Sequence, residues 1–426
     1  MKFLFTHCYS KQNRGDAAII ATMLRRFRVM MPNAGITLAT LDHFEAGEAF
    51  EGASQVHSFF YVAIYTSFGV LGRIVKTLYV VLATTVWAAI WRLSRVRCNI
   101  LLTKPLRETI EQYLAADIVV PVGGGYLLGK NTVHDTLTVI LQLHAVAVAL
   151  VMRKPVLLFS QSVGPFGNWL QKFVSKIVLN RVQAIMVRET LSKENLKELG
   201  IRTPHIVETA DAAFLFETTS VTDGRVVLEQ AGVPTASRVI GVTVRNWLSP
   251  LGQAEYEQSM AHFAAKLSAQ GYAVVFVPQV SSAFHNDDDA LVQSRIQQLL
   301  PAAAHGVYFL SNTLSFEEVK AVFASCTYVV GTRMHSVIFA LTSRVPALAI
   351  AYERKTVGIM SSFGLQEYVI PMERVTSELL EQKFLELDSH REEYLAKLDI
   401  HMPVEQKRAE EAFQEVQAFV AKNGLV

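Results

Sequence analysis

Apolar residues recur along the chain with two different spacings. Short runs rich in β-branched residues alternate with longer stretches whose apolar residues lie three or four positions apart, which is the pattern of parallel βαβ units. In the first half the pattern predicts strands at 2–6, 36–40, 99–103, 117–122, 155–160 and 184–187, with helices at 16–30, 134–152, 169–181 and 190–199. In the second half it predicts strands at 239–244, 273–278, 307–310, 328–331 and 347–352, with helices at 253–270, 288–300, 315–325 and 334–343. The pattern therefore indicates an α/β fold with parallel sheets.

A polar, turn-rich stretch at 217–224 divides the two series of elements. We predict an N-terminal domain over residues 1–220, a C-terminal domain over 235–400, and a final helical run over 401–426 that packs back on the first domain. Two such domains leave a cleft between them, and ligands of parallel sheets bind beyond the carboxyl ends of the strands. The residues directly after each strand are therefore the candidates for function.

Residues 59–97 interrupt this pattern with a hydrophobic helical insertion. Its uncharged stretch at 77–91 has 15 residues, which is about 22 Å of helix and shorter than the roughly 30 Å hydrocarbon core of a bilayer. Two helices that lie in the membrane interface, with the closing arginines on the lipid headgroups, agree better with this length than a spanning helix. Internal packing or a dimer interface is the alternative interpretation of the same residues.

Composition and charge narrow the class of protein. Of 426 residues, 51% are hydrophobic and only 18% are charged, which excludes a disordered or fibrous chain. The net charge of +2, from 40 Lys and Arg against 38 Asp and Glu, argues against a dedicated nucleic-acid binder. The three cysteines lie far apart and form no metal or disulfide pattern, which favours a reducing, cytoplasmic compartment. The apolar run at the N-terminus is too short for a signal peptide and is predicted to be the first strand.

Two loops of the first domain combine glycine with polar residues. In the loop that precedes the first helix, Gly15 permits close approach of a ligand to the backbone, and amides at the helix start favour an anion. Asn13 and Asp16 flank it, and Asp16 is either a base, a partner for a sugar hydroxyl, or an ordinary helix cap. The second loop is Gly123-Gly124-Gly125, which either lines a ligand with backbone amides or forms a tight turn.

Arginines follow strands in both domains. Arg188, next to Glu189, is placed to bind a carboxylate, although a surface ion pair with Glu189 would give the same pattern. In the second domain Arg245, Arg333 and Lys355 all follow predicted strands of one sheet.

His335 lies two residues after Arg333, on a loop that enters a helix. Cations that converge beside one imidazole suit a small, multiply charged anion. Three acids at 287–289 are predicted to complement a helix dipole rather than to bind a metal.

Several of these segments resemble the polysaccharide pyruvyl transferase family. They are Asn13-Arg14-Gly15-Asp16-Ala17-Ala18-Ile19, the run Gly123–Gly125, Val187-Arg188-Glu189, and Arg333-Met334-His335-Ser336 followed by Pro346 and Tyr352-x-x-Lys355. The resemblance spans residues 2–360 and does not include the insertion at 59–97. It implies two Rossmann-like domains in a glycosyltransferase-B-like arrangement. It also implies transfer of pyruvate from phosphoenolpyruvate onto two hydroxyls of a sugar, giving a cyclic ketal and phosphate.

The resemblance also suggests roles for the candidate residues. His335 would be the general acid, and Arg188 and Arg333 would clamp the donor. Arg245 or Lys355 would stabilise the departing phosphate. Asp16 or Glu189 would accept a hydroxyl proton. No cofactor or metal is expected besides the donor, phosphoenolpyruvate.

The expected partners are phosphoenolpyruvate, a sugar or lipid-linked oligosaccharide acceptor and, through 59–97, the inner face of the cytoplasmic membrane. Nucleic acid is not an expected partner. Two other functions agree with the same pattern: a nucleotide-sugar-dependent glycosyltransferase of the glycosyltransferase-B type, and a non-catalytic, membrane-docked scaffold of polysaccharide assembly.

Overall fold

A computed structural model describes residues 1–41, 50, 52–67, 69–218, 223–282 and 287–425. The chain forms two compact units. Unit 1 comprises Met1–Ser10, Ile19–Ala212 and Arg408–Val426, and unit 2 comprises Lys11–Ala18 and Ala213–Lys407. Part of the turn-rich stretch predicted at 217–224 lies outside the described residues.

The strands of unit 1 form parallel sheets. They are β1 (Lys2–Cys8), β2 (Gly35–Thr40), β3 (Ser54–His57), β4 (Ile118–Pro121), β5 (Leu127–Gly129), β6 (Leu157–Gln161), β7 (Val163–Phe166), β8 (Ala184–Val187) and β9 (His205–Glu208). One sheet has the order β3-β2-β1-β4 and another the order β6-β8-β9, while β5 pairs with β7. A parallel bridge between Val119 and Val156 joins β4 to the residue that precedes β6. The order 3-2-1-4 is that of the Rossmann fold, as predicted.

The helices of unit 1 are α1 (Arg14–Met30), which begins in unit 2, α2 (Gly69–Ser94), α3 (Lys104–Ala115), α4 (Val133–Val151), α5 (Trp169–Leu179) and α6 (Thr190–Leu199). The strand predicted at 99–103 is wrong: Asn99–Leu101 is a single 3₁₀ turn. Thr103 is instead the residue that precedes α3, and the helix then begins with proline in its first turn.

The insertion also differs from its prediction. A short π-helical turn at Tyr61–Tyr65 is followed by one continuous helix, α2, of 26 residues, which is about 39 Å long at 1.5 Å per residue. The charged side chains near its start do not interrupt a helix, because their long stems leave the backbone hydrogen bonds intact. By length and composition alone α2 and α4 could each cross a bilayer, with 33% and 50% of their apolar windows buried in the structure.

Unit 2 repeats the doubly wound pattern. Its strands are β10 (Arg238–Thr243), β11 (Tyr272–Phe276), β12 (Ser281–Ser282), β13 (Asp287–Asp288), β14 (Val307–Phe309), β15 (Tyr328–Gly331), β16 (Ala347–Ala351) and β17 (Val369–Pro371). The main sheet is parallel with the order β14-β11-β10-β15-β16-β17, again the 3-2-1-4-5-6 order of a Rossmann fold. Its helices are α7 (Gly224–Gln230), α8 (Pro250–Ala269), α9 (Asp289–Leu299), α10 (Phe316–Ala324), α11 (Met334–Thr342), α12 (Arg354–Ser362), α13 (Ser377–Ser389) and α14 (Arg391–Lys422).

Aromatic side chains fill the centre of unit 1. The ring of Phe27, from α1, packs edge-on against Phe3 and Phe5 of β1 at centroid distances of 5.1 and 4.9 Å. The C-terminal part of α14 belongs to the same core, because Phe413 packs on Phe159 at 4.7 Å. These contacts fix the sheet whose strand ends carry the candidate residues of this unit.

Candidate functional site

Three neighbouring strands of unit 2 end at residues that were expected to bind an anion. In the sheet, β10 pairs with β15, and β15 pairs with β16. Their carboxyl ends lead to Arg245, to Arg333 and His335, and to Lys355, respectively. The strand order changes direction between β10 and β15, which is the switch point where doubly wound sheets bind their ligands.

Arg333 is held in a buried ion pair. Its Nη2 lies 2.5 Å and its Nε 3.2 Å from Oδ1 of Asp289, whose side chain is completely buried. Asp289 also accepts hydrogen bonds from the backbone amides of Gln279 and Val280. Burial raises the pKa of Asp289, and the Arg333 guanidinium and the two amides oppose that rise. The guanidinium is therefore fixed in orientation before any ligand arrives.

A hydroxyl network fixes the backbone of the same loop. Oγ1 of Thr243, at the end of β10, accepts hydrogen bonds from the amides of Thr332 and Arg333. The hydroxyl of Ser336 donates to the carbonyl of Arg333 at 2.6 Å and lies 2.9 Å from the Thr243 hydroxyl. The loop between β15 and α11 is thus tied to β10 next to it in the sheet, so Arg333 and His335 keep a defined spacing.

His335 packs directly against Gly15. The imidazole is half-buried, and a Cβ added to Gly15 would lie 2.0 Å from its Nδ1 and 2.2 Å from its Cγ. Both residues belong to unit 2, because residues 11–18 leave unit 1 after β1. Gly15 therefore provides room for the His335 ring, which is a role that the sequence did not reveal.

Arg14 anchors this glycine segment to unit 2. Its guanidinium donates to the carbonyls of Gln12, Asn312 and Leu314 and to the hydroxyl of Ser281. Burial lowers the pKa of Arg14.

The expected ligand residues on either side of Arg14 bond to each other in the structure. Asn13 Nδ2 donates to Asp16 Oδ2 at 2.6 Å, and the Asp16 amide lies 3.4 Å from Asn13 Oδ1. Asp16 thus lies in the first turn of α1 with its carboxylate hydrogen-bonded to Asn13, and its role as a base stays a prediction.

Arg245 contacts two aromatic rings that also touch each other, with centroids 4.9 Å apart. Its guanidinium carbon is 4.5 Å from the ring centroid of Trp247 and 4.1 Å from that of Tyr352. Lys355, one turn after Tyr352, forms an ion pair with Glu353 at 2.8 Å. Cation–π contacts with both rings restrict the position of the Arg245 guanidinium.

In unit 1, Arg188 is also paired. Its Nη1 lies 2.6 Å from Oδ2 of Asp211, and both side chains are almost completely buried. Its Nε donates to Ser162 Oγ at 2.8 Å, and Glu189 lies 3.6 Å away. The surface-pair interpretation of Arg188 and Glu189 is therefore wrong for Arg188, which is buried and whose shorter ion pair is with Asp211.

The three glycines after β4 differ in their surroundings. A Cβ on Gly123 would lie 2.7 Å from the carbonyl oxygen of Ser160, so this glycine allows two strand ends to approach. A Cβ on Gly124 would meet the ring of Tyr126 at 2.9 Å. Gly125 is exposed. Neighbouring protein atoms leave no room for a side chain at Gly123 and Gly124, which explains glycine at these positions. A ligand-binding role of this loop stays a prediction.

Two acids were not identified from the sequence as partners of the arginines. Asp211 follows β9 by three residues, so its position after a strand was the available signal, but β9 itself was not predicted. Asp289 was assigned to helix capping, and its distance of 44 residues from Arg333 hid the pairing. In the described part of the chain, no group of three or more His, Cys, Asp or Glu side chains is arranged to hold a metal ion.

Comparison with known sequences identifies a family and a relative. The model of the family described as polysaccharide pyruvyl transferase matches residues 13–354. The amylovoran biosynthesis protein AmsJ of Erwinia amylovora is 28% identical over 278 residues, which cover 63% of this chain. The match spans 65% of the length of AmsJ.

Comparison with solved structures concerns the fold alone. S. aureus MnaA in complex with UDP has a TM-score of 0.62 at 10% identity, and the match covers 99% of this chain and 97% of that one. A putative UDP-N-acetylglucosamine 2-epimerase from Listeria monocytogenes has a TM-score of 0.60 at 12% identity, with 99% and 97% covered. Anabaena HepE with UDP-glucose has a TM-score of 0.58 at 14% identity, with 99% and 100% covered. These similarities confirm the predicted fold class, two Rossmann-like domains of the glycosyltransferase-B-like kind.

Proposed function

Because the chain belongs to the polysaccharide pyruvyl transferase family, we propose that it transfers the pyruvyl group of phosphoenolpyruvate onto two hydroxyls of a sugar in a polysaccharide precursor. The products are a cyclic ketal and inorganic phosphate. The observation that carries the proposal is the position of Arg245, Arg333, His335 and Lys355 at three adjacent strand ends of a chain in this family. A donor with both a carboxylate and a phosphate requires several fixed cations.

The reaction proceeds in two additions. A proton donated to the methylene carbon of the donor turns that carbon into a methyl group and leaves a cationic centre at the carbon bearing the phosphate. One sugar hydroxyl adds to this centre and loses its proton. The bond from carbon to phosphate oxygen then breaks, and the second hydroxyl attacks and releases its proton. One of the two hydroxyl protons replaces the proton that the enzyme gave to the methylene carbon. The other leaves with phosphate.

His335 is the proposed proton donor, because it is the imidazole beside the clamped arginine. Arg333 and Arg188 bind the donor carboxylate and phosphate. Arg245 or Lys355 stabilises the departing phosphate. Asp16 or Glu189 accepts the first hydroxyl proton. The buried partners of Arg333 and Arg188 keep the two guanidinium planes oriented, which lowers the cost of ordering them on binding.

Product analysis tests the proposal directly. Purified protein is incubated with phosphoenolpyruvate and a panel of lipid-linked oligosaccharides, and both phosphate release and product masses are measured. We expect phosphate release that depends on the acceptor, together with the mass gain of one pyruvyl ketal. His335→Ala should abolish turnover while phosphoenolpyruvate still binds, and exposed His305 provides the control variant His305→Ala with normal turnover. Near-normal turnover of His335→Ala would contradict the acid assignment.

A thermal-shift comparison separates this function from a nucleotide-sugar glycosyltransferase. Pyruvyl transfer predicts that phosphoenolpyruvate raises the melting temperature and that UDP does not. Stabilisation by UDP alone would favour the glycosyltransferase. A scaffold would respond to neither ligand and would release no phosphate.

The acceptor is proposed to be a sugar on a lipid carrier. The relative AmsJ is named for amylovoran biosynthesis, and by analogy we propose a role in exopolysaccharide biosynthesis for this chain. We also propose that it acts in the cytoplasm and contacts the inner face of the membrane through residues 59–97. Serine in place of the exposed Leu71, Leu78 and Leu82 should move the protein from the membrane to the soluble fraction, and unchanged fractionation would contradict this contact.

A further inference from the structure

The outer face of α2 is apolar although its opposite face is already packed inside unit 1. Val80, Trp87 and Ala88 are buried on the inner face. On the outer face Leu71 and Leu82 are 74% and 66% exposed. Val75, Leu78, Val86 and Leu93 are exposed on the same helix. Helices at a water-facing surface normally carry polar residues there, so this face is suited to an apolar environment.

Helix α5 presents a second apolar face in the same unit. Trp169, Phe173 and Ile177 follow one another at intervals of four residues and are 75%, 55% and 40% exposed. Lys172 and Lys176 lie beside them and line, with Trp169 and Phe173, a groove of about 490 Å³. The other wall of the groove, from α6, contributes Asn195, Glu198 and Leu199. Both α2 and α5 pack against α4.

The chain segments that contain the two helices carry charges of one sign, and Glu198 of α6 is an acid on the opposite wall of the groove. Residues 52–107 contain seven Lys and Arg and no Asp or Glu, and residues 136–188 contain six Lys and Arg and no Asp or Glu. The whole chain is nearly balanced, with 40 basic and 38 acidic residues, so this separation is local. Over the residues that the structure describes, no carboxylate forms an ion pair with Arg73, Lys76, Arg92, Lys172 or Lys176.

An anionic bilayer matches both properties of this surface. It offers hydrocarbon to the leucine, valine and aromatic side chains and phosphates to the lysines and arginines that flank them. Tryptophan is a preferred residue at the boundary between lipid and water. A second copy of the chain would bring the same uncompensated cations to the contact, and like charges repel.

We propose that α2 and α5 together form a docking surface for an anionic lipid bilayer. The proposal rests on the membrane contact suggested above for 59–97 and adds α5 as a second contact outside that insertion. If one helix alone touched the membrane, unit 1 could still rotate about the axis of that helix. Two contacts fix the orientation of unit 1 on the membrane.

Vesicle co-sedimentation of the full chain tests the proposal. The α2 variant carries Leu71→Ser, Leu78→Ser and Leu82→Ser, and the α5 variant carries Trp169→Ser, Phe173→Ser and Ile177→Ser. A matched control replaces three exposed apolar residues of unit 2 by serine: Leu251, Leu385 and Ile400. We expect the wild type and the control to bind phosphatidylglycerol-containing vesicles more tightly than phosphatidylcholine vesicles. Each of the other two variants should bind at least tenfold more weakly.

The outcomes separate the two contacts. An α5 variant that binds like the wild type, beside an α2 variant that does not, would overturn the role of α5 and leave the contact of 59–97 standing. If the wild-type protein does not bind anionic vesicles, both contacts, that of α5 and that of 59–97, are overturned. A stable wild-type dimer in light scattering, lost in either variant without any vesicle binding, would identify the surface as a subunit interface instead.

Two further measurements distinguish a loss of membrane contact from misfolding of the variants and from a loss of the proposed transferase activity. Trp169→Phe keeps an apolar ring but removes the reporter, so quenching of tryptophan emission by brominated lipids should fall in this variant if α5 meets the bilayer. Unchanged quenching would contradict the contact. Phosphate release with a soluble acceptor fragment should stay at the wild-type rate in the α2 and α5 variants, so a loss of vesicle binding is distinguishable from a loss of transferase activity.

Discussion

Gly15→Ala tests whether the position of the His335 ring matters for transfer. The added Cβ would lie 2.0 Å from Nδ1, 2.2 Å from Cγ and 2.7 Å from Cβ of His335. Non-bonded carbon atoms approach to about 3.5 Å, so the imidazole has to move by roughly 1.5 Å. Rotation of the half-buried ring can relieve the contacts at Nδ1 and Cγ, but it leaves the Cβ of His335 in place, so the 2.7 Å contact also requires a shift of the backbone.

The expected effect falls mainly on turnover, with some loss of stability. A misplacement of about 1 Å in a reacting group can cost about 100-fold in rate, equivalent to about 2.7 kcal/mol in the activation free energy. Alanine in place of glycine within a helix is favourable by about 0.5–1 kcal/mol, which offsets only part of the cost of moving His335. The free energy of unfolding should therefore fall by about 1–3 kcal/mol, the range for an overpacked site.

Initial rates of phosphate release, with phosphoenolpyruvate and acceptor varied, measure kcat. Urea denaturation measures the free energy of unfolding. Gly358→Ala is the matched control: Gly358 lies in α12 of the same unit, and its added Cβ would meet nothing within 4 Å. We expect kcat of Gly15→Ala to fall about 100-fold, while Gly358→Ala keeps the wild-type kcat. A kcat within threefold of wild type for Gly15→Ala would refute the reasoning, because it would show that the ring can leave its place against α1 without consequence.

Three further predictions concern charge and stability. Burial lowers the pKa of Lys320 from 10.5 to about 7, so Lys320→Met should raise the free energy of unfolding most at and below pH 7. That gain should decline as pH rises towards 10.5, because the folded wild type then releases the proton that the unfolded chain keeps; urea denaturation at pH 6 and 9 measures it, and an equal gain at both values would contradict the burial argument. Burial lowers the pKa of His7 and of His144 from 6.5 to about 4, so unfolding should become easier as pH falls from 6.5 to 4, since the unfolded chain binds protons first. His144→Gln should flatten this pH dependence of the urea midpoint, and an unaltered slope would count against it. Finally, Trp247→Leu removes one of the rings that restrain Arg245, a contact worth about 0.5–2 kcal/mol, so KM for phosphoenolpyruvate should rise about 2- to 30-fold with little change in kcat. Trp247→Phe should recover most of the loss, and an unchanged KM for the leucine variant would exclude this positioning role.

The strand ends of unit 2 were predictable because their signal is local. Buried parallel strands are continuous apolar runs, and the cations after them stand out against that background. The strand at Tyr328–Gly331 and the neighbouring helix that carries His335 begin and end within one residue of their predicted bounds. The same reasoning failed at 99–103, where a short apolar run precedes a helix, because such runs do not distinguish a strand from a turn leading into a helix.

The partners of the site residues were not predictable, because they depend on contacts between distant segments. Asp289 lies 44 residues from Arg333, and Asp211 lies 23 residues from Arg188. The contact of Gly15 with His335 joins residues 320 positions apart in the sequence. A glycine in a helix start predicts freedom of the backbone, but it does not say which side chain occupies the space.

The membership of residues 11–18 in unit 2 has a consequence for the order of events during synthesis. Arg14 leaves the ribosome early, whereas Leu314, whose carbonyl it binds, is made 300 residues later. At about 5–20 residues per second, this delay lasts roughly 15–60 s. During that time the segment with Gly15 has to stay available, and the core of unit 1 also lacks Phe413 of α14. The packing around His335 is therefore complete only when one of the first segments to be synthesised joins segments made much later.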